Sequence, residues 1–256
     1  MRRNSMRKKN SLTVAFTGGG GKTGLIFYLA EKFSRQGKRV IITTTTHMAW
    51  EPERPFAEAE DIPALCSLME RYGYVTAAHH KAGQPKISGP SEEILEMLSG
   101  LCDLLLVEAD GSRHFPLKVP AAHEPVIPEV ADLVVGVIGL DCIGKRICDT
   151  AHRPENVADF LGKCADDPVS WEDAARIAVS ERGLRKGVGQ RPFLVYLNKM
   201  DILKDKESAG RIQKKCLENG IEAVCGSLPE ADRREKNGNE AGTDHAGSRE
   251  QPEIWK

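Results

Sequence analysis

Lys22 and Thr23 stand directly after four consecutive glycines, Gly18, Gly19, Gly20 and Gly21, and are followed by Gly24. A run of glycines lets the backbone curl so that successive N–H groups converge on one anion, a path that Cβ atoms would obstruct. A lysine at the end of such a curl supplies positive charge to the β- and γ-phosphates of a nucleoside triphosphate. A threonine beside it supplies a hydroxyl ligand for Mg²⁺. The common form of this cradle, G-x-x-x-x-G-K-[ST], would place a glycine at position 16, where Phe16 stands. Position 16 is the exit of the preceding strand rather than the cradle, so the cradle donors remain. The plain alternative is a flexible strand–helix turn that happens to carry a lysine. Thr17 occupies the place where many ATPases that dimerise over nucleotide carry a second lysine, which argues against that mechanism.

Carboxylates follow at a matching place. In "LLLVEADGSRHFPLK" an apolar run ends in Glu108 and Asp110, two apart on a strand and so directed to one side. A carboxylate at such a strand end can hold Mg²⁺ through water. Asp110 is expected in that role, with Glu108 orienting or activating the attacking water. Gly111 would donate its N–H to the γ-phosphate, and Arg113 would meet the negative charge that develops during phosphoryl transfer. "TTTTHM" (43–48) ends another apolar run, and Thr45 or Thr46 would reach a phosphate or the metal shell, with Thr46 the chosen metal contact. A bland edge strand explains the threonines equally well, since threonine favours strands. His47 is placed to sense a substrate. Histidines 79, 80, 114, 123 and 152 lack the spacing of a zinc site.

A third constellation reads a base. "FLVYLNKMD" carries N-K-x-D at the end of an apolar run. The carboxylate of Asp201 would accept the N1–H and N2 amine of guanine together, while Asn198 and the stem of Lys199 hold the ring. "AVCGS" (223–227) follows, with Cys225, Gly226 and Ser227 as backbone donors to the base. The D-x-x-G of many GTPases is not reproduced, because Gly111 follows Asp110 directly.

These residues need a frame that gathers them. "LTVAF" (12–16), "KRVIITTTTHM" (38–48), "LCDLLLVEADG", "ADLVVGVIG", "RPFLVYLNKMD" and "GIEAVCG" are short apolar runs that read as strands. Helical periodicity follows the first: Leu25, Leu29 and Phe33, with Ile26 and Ala30, share a face, and Gly37 supplies a stop. The alternation predicts an α/β fold, a doubly wound and mostly parallel sheet of the P-loop NTPase type. Residues 72–90 read as a small hairpin or loop insertion. Residues 145–190 read as a helical insertion, with Ser170 and Asp173 forming a capping box and Gly183 ending that helix. In such a sheet ligands bind beyond the carboxyl ends of the strands, where all three constellations fall.

Bulk properties narrow the class. With 256 residues and 40% hydrophobic content, the chain can build one sizeable core. A net charge of −1 gives no argument for nucleic acid or an anionic membrane as partner, and neither is expected. No stretch approaches the ~20 apolar residues of a membrane span. The apolar run after the basic start is shorter than the ~7–15 residues of a signal peptide's core. Seven scattered cysteines without a C-x-x-C pair suit reduced thiols in the cytoplasm. The expected organisation is a basic tail over 1–10, one domain over 11–228 and a polar, disordered tail over 229–256.

Taken in order, "TGGGGKT", "VIITTTTHM", "LLLVEADGSRHFPLKVPAAHEPVIP", "HRPE" (152–155) and "LNKMD" resemble the selenium-dependent hydroxylase accessory protein family of YqeC type. The likeness covers most of residues 11–228. It implies a P-loop protein associated with the maturation of selenium-dependent molybdenum hydroxylases, and hence a client hydroxylase or its cofactor as partner. It also places Lys118, His123, Glu124 and Pro125 in a family motif without giving them a role. Three functions share the same cradle, lysine and magnesium, with GTP or ATP as the nucleotide: an NTP-hydrolysing accessory protein, a small-molecule kinase using Glu108 as base, and a nucleotide-dependent switch without hydrolysis.

Overall fold

The computed structural model describes residues 11–228, and the two terminal segments of the sequence lie outside the described residues. Strand β1 (Leu12–Gly18) passes through the glycine loop into helix α1 (Lys22–Arg35), and the chain returns as β2 (Val40–Thr44). Short strands β3 (His47–Ala49) and β4 (Phe56–Glu58) precede α2 (Ile62–Tyr72), β5 (Tyr74–His80), β6 (Lys86–Ser88) and α3 (Glu92–Leu101). Next come β7 (Leu104–Glu108), β8 (Leu117–Lys118) and β9 (Leu133–Gly139). A helical stretch then carries α4 (Ile147–Thr150), the short strand β10 (Ala151–His152), α5 (Pro154–Leu161) and α6 (Trp171–Val179). Strand β11 (Phe193–Asn198), α7 (Lys206–Glu218) and β12 (Glu222–Cys225) complete the fold.

The main sheet runs β12-β11-β9-β1-β7-β2-β5-β6-β3, with β4 paired to β5. All its pairings are parallel except those of β6 with β3 and β5. β1 lies at the centre, flanked by β7 and β9, with Phe16 opposite Glu108 and Gly18 opposite Val137. Its neighbours on the two sides come from opposite halves of the later chain. The carboxyl end of β1 is therefore the place where the winding reverses, the switch point at which open α/β sheets bind their ligands. The glycine loop sits there.

The layers follow from the period of two along each strand. Leu104 and Leu106 of β7 face α1 with Leu25, Ile26 and Leu29, while Leu105 and Val107 face α2 and α3 with Leu65 and Leu98. On the other flank Leu194 and Tyr196 of β11 join the α1 side, and Val195 and Leu197 pack on α6 and α7 with Ile177 and Ile212. Helices thus cover both faces, which is the doubly wound arrangement expected. β1 is buried on both sides: Val14, Ala15 and Phe16 have 0% exposure. Phe16 takes its place in the α1-side core, which accounts for an aromatic residue where the common motif has glycine.

Three sequence expectations need correction. The run 38–48 is not one strand. β2 ends at Thr44, where the Thr45 N–H bonds to the carbonyl of Glu108 at 3.1 Å, and residues 47–49 turn away to pair antiparallel with β6. The hairpin over 72–90 is only half an insertion, because β5 extends the main sheet parallel to β2 and β6 alone folds back on it. Finally, α6 does carry the capping box of Ser170 and Asp173, but it ends at Val179. Gly183 belongs to the next turn, donating its N–H to the carbonyl of Ser180 at 2.9 Å.

Candidate functional site

The site is built at the carboxyl ends of β1, β7 and β11. The glycine loop is braced from below by backbone bonds: Gly19 N–H to the Val137 carbonyl at 2.9 Å and Gly20 N–H to the Phe115 carbonyl at 3.0 Å. Gly20 has φ 86°, and a Cβ there would run into the backbone of Gly139. Only glycine meets both demands. Lys22 opens α1 and is nearly enclosed. Its Nζ donates to the Gly18 carbonyl at 2.5 Å and lies 3.1 Å from Asp110 Oδ1, with side-chain exposures of 2% and 0% for the two residues. That contact is ionic only, since Asp110 Oδ1 takes no hydrogen bond.

The two carboxylates have different partners. Glu108, the last residue of β7, accepts the Thr23 hydroxyl at 2.7 Å. Burial pushes its carboxyl above the usual range, against the opposing pull of the Lys22 charge and the Thr23 bond. Asp110 lies past the strand end. Its Oδ2 accepts the Gly18 N–H at 3.1 Å and faces Lys118 Nζ at 3.1 Å. The carboxylate expected at the metal is therefore held by two ammonium groups, and the one expected at the water is held against the threonine. A hydroxyl beside a carboxylate, both hard oxygen donors, suits a small divalent cation such as Mg²⁺. No group of three or more histidine, cysteine or acidic side chains among the described residues could hold a metal without help from a ligand or water.

The N-K-x-D segment reaches the glycine loop. Asn198 Nδ2 donates to the Gly20 carbonyl at 2.8 Å, and its Oδ1 accepts the Lys199 N–H at 2.8 Å. Lys199 adopts a left-handed φ of 65° and bonds Asp141 at 3.0 Å. The exposed Asp201 donates its N–H to Ser227 Oγ at 2.9 Å, and Met200 N–H bonds the Gly226 carbonyl at 3.1 Å. The two loops expected to read a base are thus tied to each other, and one of them to the glycine loop.

A model of the family described as YqeC protein matches residues 14–155, more than half of the chain. The YqeC protein of Escherichia coli (strain K12) is 31% identical over 224 residues, covering 85% of this chain and 87% of that protein. The chain belongs to the YqeC family. Among solved structures, the hydrogenase maturation factor HypB from Archaeoglobus fulgidus is similar at a TM-score of 0.41 and 10% identity, over 88% of this chain and 86% of that one. Chloroplast FtsY from Physcomitrella patens is similar at 0.44 and 14%, over 89% of this chain and 62% of that one. Both likenesses are distant, and the fold rests on the sheet order above. The YqeC match contains the glycine loop and both carboxylates, while Asn198–Asp201 lie beyond it.

Other expected residues are less closely gathered. Arg113 and His114 form an exposed turn with left-handed φ of 49° and 66°. Gly111 contributes its carbonyl, which accepts from Lys118 at 2.7 Å. Thr45 Oγ1 bonds the Val126 carbonyl at 2.7 Å, and Thr46 donates its N–H to Thr44 Oγ1 at 3.1 Å while its own buried hydroxyl has no hydrogen-bond partner. Gly24 lies within the first turn of α1. All seven cysteines are free thiols, and burial pushes Cys102 up to about 12, far from reactivity. Of the residues left without a role, Lys118 and Glu124 join Arg153, which sequence reasoning did not single out, in an ion-pair chain behind Asp110. Nothing in a strand segment "PLKV" marks its lysine as buried.

Proposed function

We propose that this protein binds a magnesium nucleoside triphosphate, guanine in preference to adenine, and hydrolyses it while serving the maturation of a selenium-dependent molybdenum hydroxylase. The observation that carries the nucleotide reading is the Asn198 bond to the Gly20 carbonyl, which joins the base-reading loop to the phosphate cradle at 2.8 Å. A turn that merely contained a lysine would have no reason to be braced by an N-K-x-D asparagine. The client is supported by the run of motifs from "TGGGGKT" to "LNKMD" and by nothing in the geometry.

In this reading Lys22 swings from Asp110 to the β- and γ-phosphates, and the α1 N-terminus adds its partial positive charge. Thr23 and Glu108 would hold Mg²⁺, with Asp110 nearby and Thr46 a further oxygen donor; the ion supplies charge neutralisation on the transferring phosphoryl group. Arg113 would approach the phosphates from its exposed turn, and the Gly111 N–H would meet the γ-phosphate. Asp201 would pair with the guanine edge, Lys199 and Asn198 would hold the ring and Ser227 would keep the loop in place.

The test is a turnover panel with GTP and ATP, with and without the client hydroxylase. Phosphate release without an added acceptor, faster with GTP, is the expected result. Transfer of the γ-phosphate to a small molecule would replace this reading by a kinase, and tight binding without release would replace it by a switch.

A further inference from the structure

Cationic and anionic side chains alternate behind the glycine loop. Lys22 faces Asp110 at 3.1 Å, Asp110 faces Lys118 at 3.1 Å, Lys118 faces Glu124 at 2.9 Å, and Glu124 faces Arg153 at 2.6 Å. Three positive groups thus share two negative ones. The side chains of Lys118 and Asp110 are both 0% exposed. An unpaired charge in such a place is costly, so each member depends on its neighbours.

The two lysines on Asp110 differ in what their ammonium groups can still do. An ammonium has three donors. Those of Lys118 have the Gly111 carbonyl at 2.7 Å, Asp110 Oδ2 at 3.1 Å and Glu124 Oε2 at 2.9 Å as neighbours. Strand β8 also pins it, pairing Lys118 with His152 of β10. Lys22 has one hydrogen bond, to Gly18, against two for Lys118, and each lysine meets Asp110 through an ion pair alone. Lys118 is fixed and Lys22 is the partner able to leave.

We infer that Lys118 is a positioning residue for phosphate binding: it is the standing counter-ion that keeps Asp110 compensated, so that Lys22 can turn to a phosphate. Without Lys118, Asp110 would have Lys22 as its sole cation and would hold it back from the ligand. Lys118 acts through Asp110 and touches no phosphate itself. The inference rests on the nucleotide reading above and adds a residue to it.

The experiment measures equilibrium affinity for Mg²⁺–GTP in the full chain, its Lys118→Met and Asp110→Asn variants, and the double variant. Lys118→Met is expected to weaken binding about tenfold, within the range of coupling seen for residues sharing an ion-pair network. Asp110→Asn in the same chain should remove that loss, so that the double variant binds like Asp110→Asn alone. A merely structural role for Lys118 would give no such rescue. Unchanged affinity in Lys118→Met, or an equal loss in the Asp110→Asn background, overturns the inference. If Lys118→Met fails to fold, Asp110→Asn against the double variant still decides: equal affinities support it and a weaker double variant sinks it. Urea unfolding of Lys22→Met, Lys118→Met and their double variant gives a readout free of nucleotide. A loss in the double variant well beyond the sum is expected, because Asp110 then has neither cation, and additivity would overturn the shared counter-ion. Should the parent bind no triphosphate, the proposed function fails, and this second cycle still judges Lys118.

Discussion

Replacing Glu124 by glutamine tests the buried ion-pair chain most simply, because it keeps the shape and removes one charge. Burial alone would raise the Glu124 carboxyl, but the Lys118 bond and charge, the Ala121 N–H and the Arg153 charge outweigh it and hold the group at about 2, against an ordinary value of 4.5. That fall corresponds to ~3 kcal/mol of folding stability at neutral pH. Because the folded-state value lies below the unfolded one, the contribution is complete above 4.5 and is lost as the pH falls from there through about 2. Urea unfolding of parent and Glu124→Gln at a series of pH values checks this through the difference between the two proteins, which cancels the titration of other carboxylates. A gap of ~3 kcal/mol at pH 7 that closes on acidification is expected. A gap under ~1 kcal/mol, or one that stays constant between about pH 5 and 2.5, would refute the reasoning.

Other substitutions probe the rest of the site. Gly20→Ala would force a Cβ into the Gly139 backbone at a left-handed φ, whereas Gly37→Ala, at φ 76° with nothing within 4 Å, meets open space. Thermal melts should show Gly37→Ala losing only ~1–2 kcal/mol and Gly20→Ala distinctly more, with equal losses contradicting the braced loop. Glu108→Gln should lower the Mg²⁺ dependence of turnover more than the affinity for nucleotide, and unchanged Mg²⁺ dependence would move the metal to Asp110. Asp201→Asn should weaken GTP by about 5- to 150-fold, the cost of leaving the guanine donors poorly paired in the complex, and improve xanthosine triphosphate. Competition titrations in which the variant and parent rank GTP, ATP and XTP alike would reduce "NKMD" to a strand end.

Much of the fold is legible because β1, β7, β9, β11 and β12 are short apolar runs bounded by glycine or polar residues, each of which became a parallel strand. The bend at Thr44 is not legible, since four threonines suit a continuing strand. It is marked by the Thr44 hydroxyl, which donates to the Glu108 carbonyl and accepts the Thr46 N–H. α2 and α3 escape the sequence reading because only a few of their residues, such as Leu65, Met69, Leu95 and Leu98, are buried. At the site, glycine loop, carboxylates and N-K-x-D are visible as local patterns, and their convergence follows from sheet order. The exchange of partners between Glu108 and Asp110 is not visible. Which carboxylate faces Thr23 depends on β7 ending at Glu108, which leaves Asp110 past the strand end. The Lys118–Glu124–Arg153 chain is set by the pairing of β8 with β10, two short strands far apart in sequence.

The central claim is that the glycine loop and Lys22 hold the phosphates of a nucleotide. The most direct measurement is a fluorescence titration of the full chain and its Lys22→Ala variant with labelled GTP and Mg²⁺, alongside circular dichroism of both. The account predicts saturable binding in the parent and a loss of ~1.5–3 kcal/mol or more in the variant, with its fold unchanged. Equal affinity in the two proteins, or no binding by the parent, would contradict it.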